Sequence, residues 1–514
     1  MGRLTAAPDI GDVFLEAAFA NSPFAGTFKA YLYEHLVRKG SIRNQEGWVQ
    51  VFRPGVISGR AISGRSKRVT SPTVLDALHS MPEPVASKLV FIGTPSLRFF
   101  DGRGANLPWL CEIPDPLTQV AWQTPVRMHP KTLTEHKLTQ GDIVQIRSKW
   151  GQLEAPVYET EGVRPNVVVM DIGQGHRTYG RYAQETGLNP VRLFPPEPEP
   201  ISGGPRFCAH PASIHRTGRL MTLAHTDGSR IQHGRKIALS VSLAELKQKK
   251  TPEKPGLTMD DFPLTLPLPQ GYHPARDIYP PHDHKDYRWS MVVDLDKCIG
   301  CAACAAACYA ENNLGVVGVQ RIIEGREMAW LRVERYHDPE RMQKVMFLPM
   351  MCQHCDNAPC EAVCPVYAPH HSKEGLNNQI YNRCIGTRFC AQNCPYKVRR
   401  FNWFDWQWPE PLHLQLNPNV TVRSKGVMEK CSFCIQRIKA AHGVAKNEKR
   451  MIRDGEVVPA CVQTCPTGAL TFGNLMDKNS SVRTLVNDLR AYQVMGYLNT
   501  KPAVIYLKKV TQDV

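Results

Sequence analysis

The spacing of apolar and polar residues changes along this chain, and the change predicts its elements. Between residues 13 and 36, Val13, Ala17, Ala20, Phe24, Phe28, Leu32 and Leu36 recur at roughly helical intervals. Pro23 and Gly26 interrupt them, which predicts two short helices. Trp48-Val49-Gln50-Val51-Phe52 then reads as a strand, and residues 58–73 as loop. From Leu89 the period becomes two. Leu89-Val90-Phe91-Ile92 is a buried-strand run, and Gly141 to Ser148, Gln152 to Tyr158 and Asn166 to Ile172 alternate as strands. Lys149-Trp150-Gly151 turns the first hairpin, and a short helix is expected over Leu133 to Leu138. These pieces predict a small β-barrel. Proline-rich Phe194 to Pro200 and residues 249–289 predict extended linkers. A second group of strands follows at Met291 to Asp294, 328–336, 345–352 and 499–510.

Length and charge narrow this picture. A chain of 514 residues has room for two to four domains with real cores. No apolar run approaches the twenty or so residues a membrane helix needs, and no secretory leader pattern follows Met1. A formal charge of +16 first suggests nucleic acid. The cysteines weaken that suggestion.

Fifteen of the 17 cysteines lie between Cys298 and Cys465 in four groups. The first is Cys298-x2-Cys301-x2-Cys304-x3-Cys308, and the second Cys352-x2-Cys355-x4-Cys360-x3-Cys364-Pro365. The third is Cys384-x5-Cys390-x3-Cys394-Pro395, and the fourth Cys431-x2-Cys434 with Cys461-x3-Cys465-Pro466. A C-x2-C-x2-C bend brings three thiolates to three corners of a cubane, while the cysteine a further x3 on ligates a different cluster. Four cubanes need about sixteen thiolates. The missing one falls at Thr387, whose hydroxyl is a poor ligand for iron. The count therefore predicts three [4Fe–4S] clusters and one [3Fe–4S]. The first cubane takes Cys298, Cys301, Cys304 and Cys465; the second takes Cys308, Cys431, Cys434 and Cys461. The third takes Cys352, Cys355, Cys360 and Cys394, leaving Cys364, Cys384 and Cys390 to the three-iron centre. Thiolates and oxidised cores together contribute roughly −8, so no nucleic-acid partner is expected, and Lys397, Arg399 and Arg400 are read as offsetting cluster charge or lining a docking face. Zinc has no use for C-x2-C-x2-C-x3-C. Disulfide frameworks belong to short secreted domains, and no pair continues into the C-x2-C-H that covalent haem requires. Cys111 and Cys208 stand apart as structural thiols, His282 and His284 read as solvated linker, and the Trp-rich residues 401–408 as an aromatic cover or partner-facing patch. No acid–base or nucleophile constellation appears, so a catalytic site is not expected.

Two resemblances add to this. Residues 128–176, from Met128-His129-Pro130 to Gly173-Gln174-Gly175-His176, with Asn189 beyond, resemble the dinucleotide-binding C-terminal domain of molybdopterin oxidoreductases. That implies a double-psi β-barrel, here retained as scaffold, with no molybdopterin expected on this chain. The cysteine groups resemble the four-cluster subunits of the DMSO-reductase superfamily. Their order after such a barrel is similar to the ActB-type subunits of alternative complex III, in a split form. The fold class implied is α+β multidomain: a fragment of a molybdopterin-oxidoreductase-like domain over 1–114, a barrel over 115–240, a linker over 241–290 and a four-cluster ferredoxin-like domain over 291–514. The resemblance further implies an electron-transfer role between quinol and c-type haems. It implies as partners a companion molybdopterin-like chain, a multi-span quinol-binding membrane subunit and c-type cytochromes, at the periplasmic face of the inner membrane. The alternative it leaves open is the electron-transfer subunit of a molybdopterin polysulfide, thiosulfate or tetrathionate reductase.

Thr387→Cys restores the sixteenth thiolate and should convert the three-iron centre to a cubane. The oxidised protein should then lose its three-iron EPR signal, and a signal that persists unchanged refutes the assignment.

Overall fold

The computed structural model describes residues 27–40, 42–44, 48, 88–199, 203–248, 282, 284–339, 341 and 344–512. The chain divides into two compact units, 1–84 and 85–514. In the first, Phe28–Arg38 is helical, as its spacing predicts. The Thr27 hydroxyl accepts from the Ala30 amide at 3.3 Å, which satisfies one of the orphan donors of the first turn. The earlier apolar positions from Val13, and all of the expected strand except Trp48, lie outside the described residues. Trp48 itself is helical rather than extended, its amide bonded to the Asn44 carbonyl at 3.1 Å.

The second unit opens with a seven-stranded mixed sheet. Its strands are β1 (Val90–Pro95), β2 (Val126–Met128), β3 (Asp142–Arg147), β4 (Gln152–Glu159), β5 (Val167–Ile172), β6 (His210–Pro211) and β7 (Ser213–Leu220), in the order β6-β1-β5-β2-β4-β3-β7. The two edges, β6 and β7, are separated in sequence by Ala212 alone. The sheet must therefore roll until its edges meet. Period-two alternation explains the interior: Phe91, Val126, Met128, Val144, Ile146, Val157, Val168 and Met170 are all fully buried. The expected strands and the helix near Leu133 (Pro130–Glu135) are present. However, β1 pairs in parallel with β5 along its whole length, so the sheet begins upstream of the expected boundary at 115.

The iron–sulfur half is built on β9 (Trp289–Asp294), buried at every position. After the short β8 (Ser240–Ser242) come β9, the hairpin of β10 (Arg332–His337) and β11 (Val345–Met350), and three small pairs. These are β12 (Pro369–His371) with β13 (Asn377–Gln379), β14 (Arg400–Phe401) with β15 (Met428–Glu429), and β8 with β19 (Lys509–Thr511). The remaining strands are β16 (Leu470–Asn474), β17 (Ala491–Tyr492) and β18 (Val504–Leu507), which form the sheet β16-β9-β18-β17 with β9. Met291 and Val293 face the cysteine-rich core, while Val292 joins Leu475, Val482 and Ile505 on the other side. A strand covered on both faces reads as an unbroken apolar run.

The two halves share a buried seam. Arg335 is almost fully buried and donates to the Tyr158 hydroxyl at 2.9 Å and to Asp227 at 2.7 Å. Gln119 donates to the Val333 carbonyl, and Trp109 Nε1 to that of Leu314, both at 3.2 Å. β8 pairs in parallel with β19 near the C-terminus. Residues 240–242 therefore belong to a sheet, and the segment 241–290 is not linker throughout; residues 249–281 lie outside the described residues.

Glu112 sits in this seam, accepting from the Val317 and Gly318 amides at 2.9 and 3.1 Å and from Trp122 Nε1 at 2.8 Å. Burial raises its carboxyl to about 7 despite those bonds. The folded state thus holds this proton more tightly than the unfolded chain, whose value is near 4.5. The stability it contributes is present below that value and is lost as pH rises to about 7, about 3 kcal/mol in all. Glu112→Gln should flatten that part of the pH–stability curve, as read by denaturant midpoints between pH 4.5 and 7; an unchanged slope contradicts it.

Candidate iron–sulfur sites

The loop Cys298–Cys304 sets the pattern. Gly300 (φ 72°) and Ala302 (φ 59°) both adopt left-handed backbone, which bends the chain before the helix Ala303–Glu311. A Cβ at Gly300 would lie 2.5 Å from the Phe347 ring, so only glycine fits. The loop Cys384–Cys390 repeats this geometry, with Gly386 at φ 76° and Arg388 at φ 65° before the helix Phe389–Asn393. Thr387 therefore takes the backbone position that Cys301 holds in the first loop, and it is exposed. His354 (φ 44°) and Phe433 (φ 54°) play the matching role within Cys352–Cys355 and Cys431–Cys434, and their rings stack at 3.9 Å.

Cysteines far apart in sequence come together around shared cavities. One cavity is lined by Cys298, Cys301, Cys304 and Cys465, and another by Cys352, Cys355, Cys360 and Cys394. Cys308, Cys431, Cys434 and Cys461 form a third group, whose charges would repel one another. Cys364, Cys384 and Cys390 are less enclosed, the first two half-buried and Cys390 buried. The helices Pro359–Ala362 and Phe389–Asn393, which lead to them, pack together. The groups also form a series. Cys461 feels Cys304, Cys431 feels Cys352, and Arg399 feels Cys352, Cys360 and Cys390. Among the described residues, no three His, Cys, Asp or Glu side chains close on a single metal-ion position.

The donor chemistry fits a multinuclear cationic core. Burial pushes the Cys298 thiol up to about 11 and those of Cys360 and Cys431 up to about 12, because a lone thiolate there has no solvent. A bound iron core supplies the missing positive charge. Hydrogen bonds to sulfur are built in as well. At each Cys-Pro turn the third residue on is left-handed: Tyr367 (φ 55°), Lys397 (φ 53°) and Gly468 (φ 61°). The next amide then donates back, Ala368 to Cys364 Sγ at 3.3 Å, Ala469 to Cys465 Sγ at 3.2 Å, and Val398 to Cys394. Cys308 has no proline after it and continues along its helix. There the Asn312 side-chain amide reaches Cys308 Sγ at 3.6 Å and Cys434 Sγ at 4.0 Å. Asn312 was missed from sequence, although a polar residue four positions after a helical cysteine lies on the same face and was the available signal.

Around the third site lies a buried ionic network that sequence reasoning also missed. Arg288 pairs with Asp356 at 2.9 Å, and His284 approaches the same carboxylate at 3.2 Å. His371 bonds Glu361 at 2.7 Å and stacks on His282 at 4.4 Å. Burial opposes ionisation of Asp356, but Arg288 and the histidines outweigh it and hold the carboxyl far below its usual range. His282 and His284 are therefore docked on the protein rather than solvated. Of the three basic residues singled out by sequence, Arg399 is buried, with burial opposed by the charges of Cys360, Cys390 and Cys352, which hold it protonated. Arg400 instead pairs with Glu327 at 2.7 Å, and Lys397 caps the Gln392 carbonyl at 2.8 Å.

The turn Gly173–His176 packs closely against the rest of the chain. A Cβ at Gly175 would lie 2.2 Å from the Asn189 amide, and one at Gly173 2.8 Å from Phe99. Gln174 bonds the Thr124 hydroxyl at 2.8 Å and the Trp122 carbonyl at 3.2 Å. His176 leaves its Nε2 buried without a partner. Cys111 is buried, its thiol pushed up to about 12 by burial, whereas Cys208 is exposed.

Comparison with known proteins agrees with this division. Residues 115–211 match the molybdopterin dinucleotide binding domain family, and residues 290–368 and 343–409 match two 4Fe–4S dicluster domain families. The chain is 40% identical over 228 residues to the menaquinone reductase iron–sulfur cluster-binding subunit of Nitratidesulfovibrio vulgaris, covering 43% of this chain and 89% of that protein. It is 35% identical over 240 residues to the Hdr-like menaquinol oxidoreductase iron–sulfur subunit 1 of Archaeoglobus fulgidus, covering 43% and 83%. One subunit of the tetrathionate reductase of Salmonella typhimurium matches at 30% over 240 residues, covering 45% and 78%.

Arg399→Gln removes a buried charge that faces cysteines of two neighbouring sites. The reduction potentials of the flanking centres should fall by on the order of 50 to 100 mV, the worth of one charge at an effective dielectric near about 20. Potentiometric EPR titration measures this, and potentials unchanged at full iron content contradict it.

Proposed function

The chain belongs to the family of iron–sulfur subunits of DMSO-reductase-type menaquinol oxidoreductases, and from that membership we propose that it relays electrons from quinol towards c-type haems in a complex of the alternative complex III type. The observation that carries this reading is the exchange of cysteines between distant groups. Cys465 joins Cys298, Cys301 and Cys304 around one cavity, and Cys394 joins Cys352, Cys355 and Cys360 around another. A bound cluster supplies reversible one-electron storage. The chain's residues hold the thiolates in place, exclude water from them and tune them through amide donors.

We assign three [4Fe–4S] clusters to Cys298, Cys301, Cys304 and Cys465; to Cys308, Cys431, Cys434 and Cys461; and to Cys352, Cys355, Cys360 and Cys394. A [3Fe–4S] centre belongs to Cys364, Cys384 and Cys390. Its departure from a cubane rests on Thr387, in a loop whose backbone otherwise repeats Cys298–Cys304. That centre is the entry point for electrons. The rolled sheet β1–β7 acts as a double-psi scaffold without molybdopterin. Quinol oxidation takes place on a multi-span membrane subunit, with a companion molybdopterin-like chain and c-type cytochromes completing the assembly at the periplasmic face of the inner membrane. Among the described residues no helix is long and apolar enough to cross a membrane.

A second reading draws support from the similarity to the tetrathionate reductase subunit: the same relay serving a molybdenum reductase of polysulfide, thiosulfate or tetrathionate. Molybdenum in the isolated complex selects it, whereas haem c without molybdenum selects the first. Either way, anaerobically purified and reconstituted protein should hold about fifteen irons per chain with matching acid-labile sulfide. A value well below that removes the relay.

A further inference from the structure

Among the described residues, the arginine and lysine side chains that are buried are Arg288, Arg335, Arg399, Arg423 and Lys430. Three of these are matched by carboxylates: Arg288 by Asp356 at 2.9 Å, Arg335 by Asp227 at 2.7 Å and Arg423 by Glu429 at 2.9 Å. The other two find neutral oxygens. Arg399 bonds the side-chain amides of Asn377 and Gln379, and Lys430 Nζ donates to the Cys431 carbonyl at 2.7 Å. A buried charge without a counter-charge is strongly disfavoured. Both of these side chains lie beside cysteine sites: Arg399 lines the third cavity, and Lys430 precedes a cysteine of the second site.

Lys430 is 1% exposed. It follows directly on β15, and successive side chains of an extended segment point to opposite faces. The carboxylate next to it in sequence, Glu429, is taken up by Arg423, Trp330 Nε1 and the Asn402 side chain. Lys430 leads into the loop Cys431–Cys434, whose Phe433 ring stacks on His354 of the loop Cys352–Cys355 at 3.9 Å. That stack holds the second and third sites against each other. The Lys430 charge acts on both sides of it, on Cys431 and on His354, and Cys431 in turn feels Cys352.

We infer that Lys430 is the shared counter-charge of the second and third clusters and sets the reduction potentials of both through its field. The inference rests on the cluster assignment proposed above. A cubane held by four thiolates carries about −2 when oxidised and about −3 when reduced. The ammonium therefore favours the reduced form of each neighbour. Because one charge serves both clusters, it raises their potentials together and not one at the expense of the other.

The test is potentiometric EPR titration of the full chain, purified anaerobically, with iron measured on every sample. Lys430→Met keeps the length of the side chain and deletes its charge. Two of the three cubane signals should then require a lower potential. Each reduction equilibrium constant should fall on the order of tenfold, which is about 59 mV for one electron. The remaining cubane and the three-iron signal should stay within about twofold of the parent, and Lys430→Arg should hold every signal near its parent value. Arg399→Gln identifies the sites, because one of the two cubanes that respond to Lys430→Met should respond to it as well, and that one is the third. At full iron content, no shift, a shift of one cubane alone or an equal shift of every centre overturns the inference and leaves the relay standing. If Lys430→Met sheds a cluster, full iron in Lys430→Arg shows that the charge holds it; loss from both variants overturns the inference in favour of a packing role. Iron well below about fifteen per chain in the parent removes the relay itself.

Discussion

A thiolate buried without a counter-charge is the constraint on which the rest of this structure depends. Cysteines of all four groups sit beneath strands and helices that exclude water, and burial alone would keep most of them protonated. Cationic cores remove that penalty, so the iron–sulfur half gains its stability largely when they are present. The fold prepares for them with donors. Backbone amides at Cys-Pro turns serve three sites, and the Asn312 amide serves the site where a helix runs on instead. These sulfurs thus meet dipoles that do not need to reorganise when charge arrives.

The same economy of burial explains the seam. Arg335 and Glu112 lie far inside the protein, and each bonds partners from the opposite half. Cutting the seam would leave Arg335 and Glu112 without these partners.

How much of this could be read from the sequence depends on distance along the chain. Cubane ligands are local, and their spacing is imposed by the tight bends that carry them, so the cysteine groups and the exceptional Thr387 stand out in the sequence. Strand runs such as Val90–Pro95 and Trp289–Asp294 were legible for the same reason, since periodicity is local. The contacts of His284 with Asp356, 72 residues away, and of Arg335 with Asp227, 108 residues away, left no such mark. Sequence therefore read the histidines as linker and cut the first sheet at 115. Asn312 lies between these cases: its helical offset from Cys308 was visible, but its role needed knowledge that the other sites use a turn.

The pairing of β8 with β19 has a consequence for biogenesis. Residues 240–242, which close the first half, wait for strand partners at 509–511 that leave the ribosome some 270 residues later. Until then the sulfur-bearing loops have no finished roof, since β18, the parallel neighbour of β9, also comes from this last stretch. The sulfur-bearing sheet is thus completed through contacts of high sequence separation, whose loop-closure cost is met only when residues 289–294 and 504–507 are both in place.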